Sequence, residues 1–366
     1  MNLIDHAPAH IRAIAPYQPG KPISELAREM GLNEADIVKL ASNENPLGVS
    51  PLAMAAIRAE LDGLALYPDG NGYVLKRAIA DKLAVGLDQI VLGNGSNDVL
   101  EMAARAFLMP GRSAVFSEHA FAVYPLAVQA VGATGIAAPA QDYGHDLAAM
   151  LAAVRFDTRM VFIANPNNPT GTLLPAEALH GFLKALPEAV VVVLDEAYVE
   201  FLDPAEQAPS VAWLAEFPNL IITRTFSKAY GLAGLRVGYA LARPELADLL
   251  NRVRQPFNVN SLALAAAAAA LDDAGFLAES KRLNDAGMAQ LTAGFERLGL
   301  DWIASAGNFV CVRVGAAAAV FQGLLERGVI VRPVANYGLP EHLRVSVGLP
   351  EQNARFLTAL AECLVR

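Results

Sequence analysis

Several polar clusters in this sequence each follow a run of apolar residues, and their residue types suit one kind of chemistry. Lys228 lies in Thr223-Arg-Thr-Phe-Ser-Lys-Ala-Tyr-Gly-Leu-Ala-Gly-Leu-Arg-Val-Gly238, just beyond the apolar run Leu220 to Ile222. Desolvation at such a place disfavours the ammonium, and a neutral lysine amine is a nucleophile able to form a Schiff base with an aldehyde. Asp195 closes the apolar run Val190 to Leu194. A carboxylate there is costly unless paired, and a protonated pyridine nitrogen is one partner that would hold it ionised. Three residues on, Tyr198 offers a hydroxyl to a phenolate oxygen on such a ring. The amide of Asn168, in Asn167-Asn168-Pro169-Thr170-Gly171, suits the same oxygen. Gly93-Asn-Gly-Ser-Asn-Asp98 precedes a helical pattern, so free backbone amides at Ser96 and Asn97 suit a phosphate. Read singly, each has a plainer account: a loop lysine, an N-cap aspartate, an Asx turn, a strand-to-helix connection.

Other chemistries find little support. His6 and His10 are four apart, but Pro8 between them opposes a regular helix, and the histidines show no metal-ligand motif. The third glycine of a dinucleotide fingerprint is replaced by Asp98. There is no Gly-x-Ser-x-Gly elbow, Walker loop or His-Glu-x-x-His. A net charge of −9 argues against a general nucleic-acid surface, and it means that an anionic ligand needs arginines or helix N-termini to hold it. Two cysteines, Cys311 and Cys363, are too few for a disulfide framework. No signal-peptide pattern opens the sequence, and the alanine run 262–270 is too short to span a bilayer. A cytoplasmic protein with no membrane and no nucleic-acid partner is expected.

The elements that must carry these residues can be read from periodicity. The 366 residues, 54% hydrophobic and 18% charged, suit a well-buried globular chain. Residues 1–45 show little periodicity beyond a short helix over Ile23 to Met30 and a strand-like run over Ile37 to Leu40. Helices are expected over Pro51 to Leu61 and Tyr73 to Leu83. From residue 88, strands alternate with helices: strands at 88–92, 113–117, 135–138, 159–164, 189–194, 220–225 and 235–241, helices at 99–108, 123–131 and 175–186. This alternation predicts an α/β fold with a mainly parallel sheet, whose ligands lie beyond the carboxyl ends of the strands. Beyond residue 256 the pattern changes to helices at 261–271, 275–298, 316–327 and 350–365 with alternating strands at 309–314, 329–332 and 342–347. The expected division is a large domain over 46–255, with 1–45 and 256–366 forming an N-terminal arm plus a small α+β domain.

Taken together and in order, Asn167-Asn168-Pro169-Thr170-Gly171, Asp195-Glu-Ala-Tyr198, Thr225-Phe-Ser-Lys228 and Gly234-Leu-Arg236-Val-Gly238 resemble the fold-type-I pyridoxal-phosphate aminotransferases. Pro16-Tyr17-Gln-Pro-Gly20, Leu40-Ala-Ser-Asn43-Glu-Asn-Pro46, Tyr67-Pro68-Asp69 and Leu343-Arg344-Val-Ser-Val-Gly348 narrow the resemblance to the histidinol-phosphate aminotransferase family. It runs from about residue 10 to the end. The resemblance implies a seven-stranded central sheet and pyridoxal 5′-phosphate bound to Lys228, which also moves the substrate proton. It further implies that Asp195 pairs with the ring nitrogen and that Tyr198 and Asn168 bond the ring oxygen. Ser96, Asn97, Thr225, Ser227 and Arg236 would hold the phosphate, and Phe121 would stack on the ring. Relatives often have Pro-Thr-Tyr where this chain has His119-Ala-Phe121, so the aromatic face stays and the hydroxyl is lost. Tyr67 would reach the partner's cofactor phosphate across a homodimer with shared sites. Arg344 and Arg332 would bind the substrate's anionic groups, with Tyr17 and Asn43 lining the pocket. The implied reaction moves the amino group of L-histidinol phosphate to 2-oxoglutarate. An aromatic amino acid transaminase and a decarboxylase of phosphorylated amino acids remain open alternatives, since an arginine pair binds carboxylates too.

Overall fold

The computed structural model describes residues 3–364; Val365, the expected end of the last helix, lies outside the described residues, as do Met1, Asn2 and Arg366. Numbered along the chain, the strands are β1 (Val38–Lys39), β2 (Ile90–Gly93), β3 (Ser113–Ser117), β4 (Thr134–Ala138), the hairpin β5 (Ala140–Gln141) and β6 (Gly144–His145), β7 (Thr158–Ala164), β8 (Val191–Asp195), β9 (Leu220–Thr225), β10 (Gly238–Ala242), β11 (Trp302–Ile303), β12 (Phe309–Arg313), β13 (Val329–Ile330), β14 (Arg332–Pro333) and β15 (His342–Ser346). Seven of them form one sheet in the order β2-β10-β9-β8-β7-β3-β4. Only β10 runs antiparallel to its neighbours. Strands buried on both faces need apolar residues at every position rather than alternating ones, which is why Val191 to Leu194 and Leu220 to Ile222 read as unbroken apolar runs. Two apolar clusters line the two faces of this sheet, one around Leu92, Val192 and Ile222, the other around Val91, Val193 and Ile221.

The sheet's topology brings the chemistry to one edge. Asp195 ends β8 beside Ala164 of β7 and Thr223 of β9. Because β10 is antiparallel, its first residue, Gly238, pairs with the last residues of both neighbours, Gly93 of β2 and Thr225 of β9. The Arg236 turn therefore enters the sheet at the edge where the parallel strands leave it.

A second, antiparallel sheet has the order β11-β12-β15-β14. The strand expected over 329–332 is divided: Val329–Ile330 pairs in parallel with β1, and Arg332–Pro333 pairs with β15. One extended segment thus serves two sheets, and the early residues 38–39 are fastened to the late part of the chain. The helix expected from Val99 begins at Ser96 instead, because Gly95, at φ 80°, lets Ser96, Asn97 and Asp98 form its first turn.

Beyond the expected boundary at 255, the helix Ser261–Leu271 still packs into the large-sheet core, with Ala263, Ala266, Ala267 and Ala270 buried beside Ala53 and Ile79. On that packing we propose that the division falls after Leu271. Small side chains let this helix approach Pro51–Glu60 closely, with no room for larger ones. Ala266→Leu should therefore overpack the contact and destabilise the protein by about 1–3 kcal/mol, read as a lowered urea midpoint with an unchanged slope.

Candidate active site

A cavity of about 180 Å³ opens where the carboxyl ends of β2, β7, β8 and β9 face the small sheet. Every site residue expected from the sequence lines it, with the single exception of Tyr67.

At its floor, Asp195 is 5% exposed. Tyr124 donates its hydroxyl to Asp195 Oδ2 at 2.8 Å, and Thr223 donates to Oδ1 at 3.0 Å. Burial nevertheless pushes the Asp195 carboxyl above its ordinary range, the hydrogen bonds pulling against it. The adjacent carboxylate, Glu196, is already paired with Arg224 at 2.8 Å. Among the described residues no basic side chain pairs with Asp195, so this site is complementary to a cationic group such as a pyridinium N–H.

At the rim, the helix Ser96–Phe107 starts without a side-chain cap, leaving its first amides to an anion. A Cβ on Gly238 would lie 2.5 Å from the Ser96 amide nitrogen, and one on Gly95 would lie 2.6 Å from Arg236 Nη2. Both glycines are therefore required for the close approach of strand, helix start and guanidinium. Arg236 itself is left-handed, at φ 57°, and its Nη1 donates to Ser227 Oγ at 3.4 Å. The Ser227 amide donates to Thr225 Oγ1 at 3.1 Å. These groups, with Asn97 alongside, form a cationic cradle sized by backbone contacts.

Between floor and rim, Lys228 Nζ donates to the Ser42 carbonyl at 3.2 Å and lies 5.8 Å from the Tyr198 ring centroid. Burial, with the Arg344 guanidinium adding to it, brings the Lys228 amine down from its ordinary 10.5 to about 7. Tyr198 is buried, and its hydroxyl is pushed up to about 12, mainly by that burial. It accepts from Asn43 Nδ2 at 2.9 Å and from Asn168 Nδ2 at 3.0 Å. Phe121 meets Tyr124 edge-on, with centroids 5.8 Å apart, and presents an aromatic wall.

The opposite wall belongs to the small sheet. Arg332 and Arg344 are directly paired on β14 and β15, so their side chains leave the same face. Arg344 donates to Asn168 Oδ1 at 2.6 Å and to the Ala41 carbonyl at 2.9 Å, while its buried Nε has no acceptor. Arg332 donates to the Gln18 carbonyl at 2.7 Å and lies 5.6 Å from the Tyr17 ring centroid. Amine, carboxylate, ring-oxygen donors and anion cradle together suit pyridoxal 5′-phosphate, with room left for an anionic substrate at the arginines.

Tyr67 stands apart. It is 84% exposed and stacks on Phe257 with centroids 4.9 Å apart. Tyr124, Thr223 and Ser346 were missed by sequence reading. Ser346 falls two residues beyond Arg344 on one strand face, so strand periodicity applied to Arg344 would have found it, whereas Phe121 precedes the helix Val123–Ala130 and gives no such signal for Tyr124.

Comparison with known proteins decides the family. A family model described as aminotransferase class I and II matches residues 35–360. The chain belongs to this family. Histidinol-phosphate aminotransferase 2 of Pseudomonas fluorescens is 63% identical to the aminotransferase over 366 residues, covering 100% of this chain and 99% of the relative. Histidinol-phosphate aminotransferase 1 of Thiobacillus denitrificans is 65% identical, covering 98% and 93%. The crystal structure of the Sinorhizobium meliloti histidinol-phosphate aminotransferase, in complex with pyridoxal 5′-phosphate, superposes with a TM-score of 0.91 at 30% identity, covering 98% of each chain. The fold is therefore that of the fold-type-I enzymes.

Burial of the Lys228 amine makes its capture of an aldehyde pH-dependent. Below about pH 7 Nζ is mainly ammonium and above it mainly amine. Covalent capture of added pyridoxal phosphate by the stripped aminotransferase should therefore accelerate as pH rises through about 7. Stopped-flow absorbance checks this, and a midpoint near the value of a free lysine would contradict it.

Proposed function

We propose that the chain is a transaminase that uses pyridoxal 5′-phosphate to move the amino group of L-histidinol phosphate to 2-oxoglutarate, giving imidazole acetol phosphate and glutamate in histidine biosynthesis. The observation that carries this reading is identity of 60–65% along nearly the whole chain with relatives that bear the name histidinol-phosphate aminotransferase. Bound pyridoxal phosphate supplies an electron sink for the charge left when a proton leaves the substrate Cα. The protein's own groups do the rest. Lys228 Nζ, a base with its pKa brought to about 7, takes the Cα proton. Asp195, held by Tyr124 and Thr223, keeps a proton on the ring nitrogen. Tyr198 and Asn168 aim donors at the ring oxygen. Ser96, Asn97, Thr225, Ser227 and Arg236 anchor the phosphate, and Phe121 covers the ring face.

Arg332 and Arg344 favour a phosphate-bearing donor. Two planar guanidinium forks match one dianion, whereas a monoanionic carboxylate needs only one. Arg332→Ala should cost histidinol phosphate ~1.5–3 kcal/mol of transition-state binding, the scale of a charge-assisted hydrogen bond. An aromatic amino acid should lose clearly less, and Arg344→Ala should damage both donors. Values of kcat/KM for both donors in both variants measure this. Equal losses in Arg332→Ala would favour the aromatic-transaminase reading. Half-reaction spectra with histidinol phosphate, phenylalanine and threonine phosphate test the reaction itself. Loss of the cofactor's absorbance with carbon dioxide released would point to decarboxylation.

The reading includes a homodimer with shared sites. Tyr67 stacks on the exposed Phe257, and Leu64, Leu66, Tyr73 and Val74, close to it in sequence, are exposed apolar side chains too, a composition suited to a second copy. Sedimentation at assay concentration should give a dimer, and a fully active monomer would contradict the shared site. A cytoplasmic location is part of the same proposal. It is supported by the absence, among the described residues, of any single helix long and apolar enough to cross a membrane.

A further inference from the structure

The hydrogen bonds at the Tyr198 hydroxyl can be counted, and the count fixes where its proton goes. A phenolic hydroxyl has one proton to donate and two lone-pair directions in which to accept. Asn43 Nδ2 occupies one direction at 2.9 Å and Asn168 Nδ2 the other at 3.0 Å. Neither amide is free to turn over. Asn168 Oδ1 accepts from Arg344 Nη1, and a guanidinium offers no acceptor, so the NH₂ end must face Tyr198. The Asn43 backbone amide donates to Ser346 Oγ at 2.8 Å. The Ser346 hydroxyl therefore turns its proton to Asn43 Oδ1, at 3.1 Å, which again leaves the NH₂ end toward Tyr198. Arg344 and Ser346 are two apart on β15 and project from the same face, so one strand sets both amides. With both lone pairs occupied, the Tyr198 proton points away from the asparagines. No described residue accepts it, and Tyr198 lines the cavity.

We infer that Asn43, oriented by Ser346, is a positioning residue that commits the Tyr198 hydroxyl to donate into the cavity, onto the phenolic oxygen of the bound cofactor. Sequence reading placed Asn43 among the substrate-lining residues and gave Ser346 no role. The inference rests on the pyridoxal phosphate reading above. Two donors on the Tyr198 oxygen also polarise its O–H bond, so removing one weakens the donation as well as its direction. The backbone agrees with a dedicated role: Asn43 is left-handed at φ 55° and buried, a conformation that asparagine tolerates better than most residues. The charged groups facing Tyr198 are Arg344, Lys228 and Asp195, and none is altered in the variants below.

A donor on the phenolic oxygen favours the form of the cofactor in which that oxygen carries more negative charge. Weakening the donor therefore moves the pH midpoint of the holoprotein's absorbance change upward. The experiment titrates that absorbance in the unsubstituted holoprotein, Asn43→Gly, Ser346→Ala, Tyr198→Phe and Asn43→Gly combined with Tyr198→Phe. Glycine at 43 removes the side chain while permitting the same backbone. Asn43→Gly should raise the midpoint by about half to one pH unit, less than Tyr198→Phe, and Ser346→Ala should raise it by a smaller amount. Added to Tyr198→Phe, Asn43→Gly should shift nothing further, because its effect passes through the hydroxyl. An unmoved midpoint in Asn43→Gly, or the same shift with and without the hydroxyl, would overturn the inference. If Asn43→Gly does not fold, Ser346→Ala carries the test, and its shift must likewise vanish on Tyr198→Phe. Absence of the titrating absorbance in the unsubstituted protein overturns the cofactor reading and this inference with it. An unmoved midpoint in a protein that does titrate overturns this inference alone.

Discussion

The buried carboxylate of Asp195 is the constraint on which the architecture turns. An ionised group at the end of a strand covered on both faces loses its water, and that loss is large unless the protein or a ligand replaces it. Here the replacement is incomplete. Tyr124 and Thr223 supply two neutral donors, and the neighbouring Arg224 is committed to Glu196. The site is thereby complementary to a cation delivered from the cavity. Much of the surrounding structure serves that complementarity. Helices must cover both sheet faces to desolvate β8, and β9 must run beside it to bring Thr223 into reach. The Tyr124 ring must also be clamped, and it stacks on Phe162 with centroids 4.8 Å apart.

The large sheet was legible because burial on both faces leaves an unmistakable trace, continuous apolar runs such as Val190 to Leu194 broken by helical periods. The residues at the strand ends stood out for the complementary reason, since polar groups such as Asp195 and Lys228 are unexpected directly after such runs. What periodicity could not show was direction or partnership. Nothing in 238–242 distinguishes an antiparallel strand from a parallel one, yet the placement of Arg236 depends on it. The division of 329–333 between two sheets escaped notice because Val331 is buried like its neighbours and the apolar pattern runs through unbroken. Tyr124 and Ser346 read as an ordinary helix and strand residue, and their roles exist only once distant segments meet. The change of pattern beyond residue 256 puts the helix Ser261–Leu271 with the later elements, whereas its buried alanines pack with the core of the large sheet.

The two sheets meet through one small apolar cluster, in which Phe309 of β12 packs against Tyr198, Phe201 and Ala229, and through a set of polar side chains. Arg344 and Ser346 on β15 reach Asn168 and Asn43, and those two asparagines converge on Tyr198. The cavity-lining Arg344 is therefore one hydrogen bond removed from Tyr198, through the Asn168 amide. Any shift of β15 relative to β8 must be felt at that hydroxyl, because hydrogen bonds of this kind lose strength steeply with angle and length.

The pairing of β1 with β13 also sets an order of events during synthesis. Lys39 and Asn43 leave the ribosome before the strands of the large sheet, and Val329, Ile330 and Ser346 emerge only after them. Throughout that interval the strands from Ile90 to Ala242 can pair with one another, while the segment bearing Asn43 has no strand to join. The nascent chain must therefore carry a nearly finished sheet with an unfinished pocket. The long sequence separation of this one contact makes closing the pocket a late, entropically costly step of maturation.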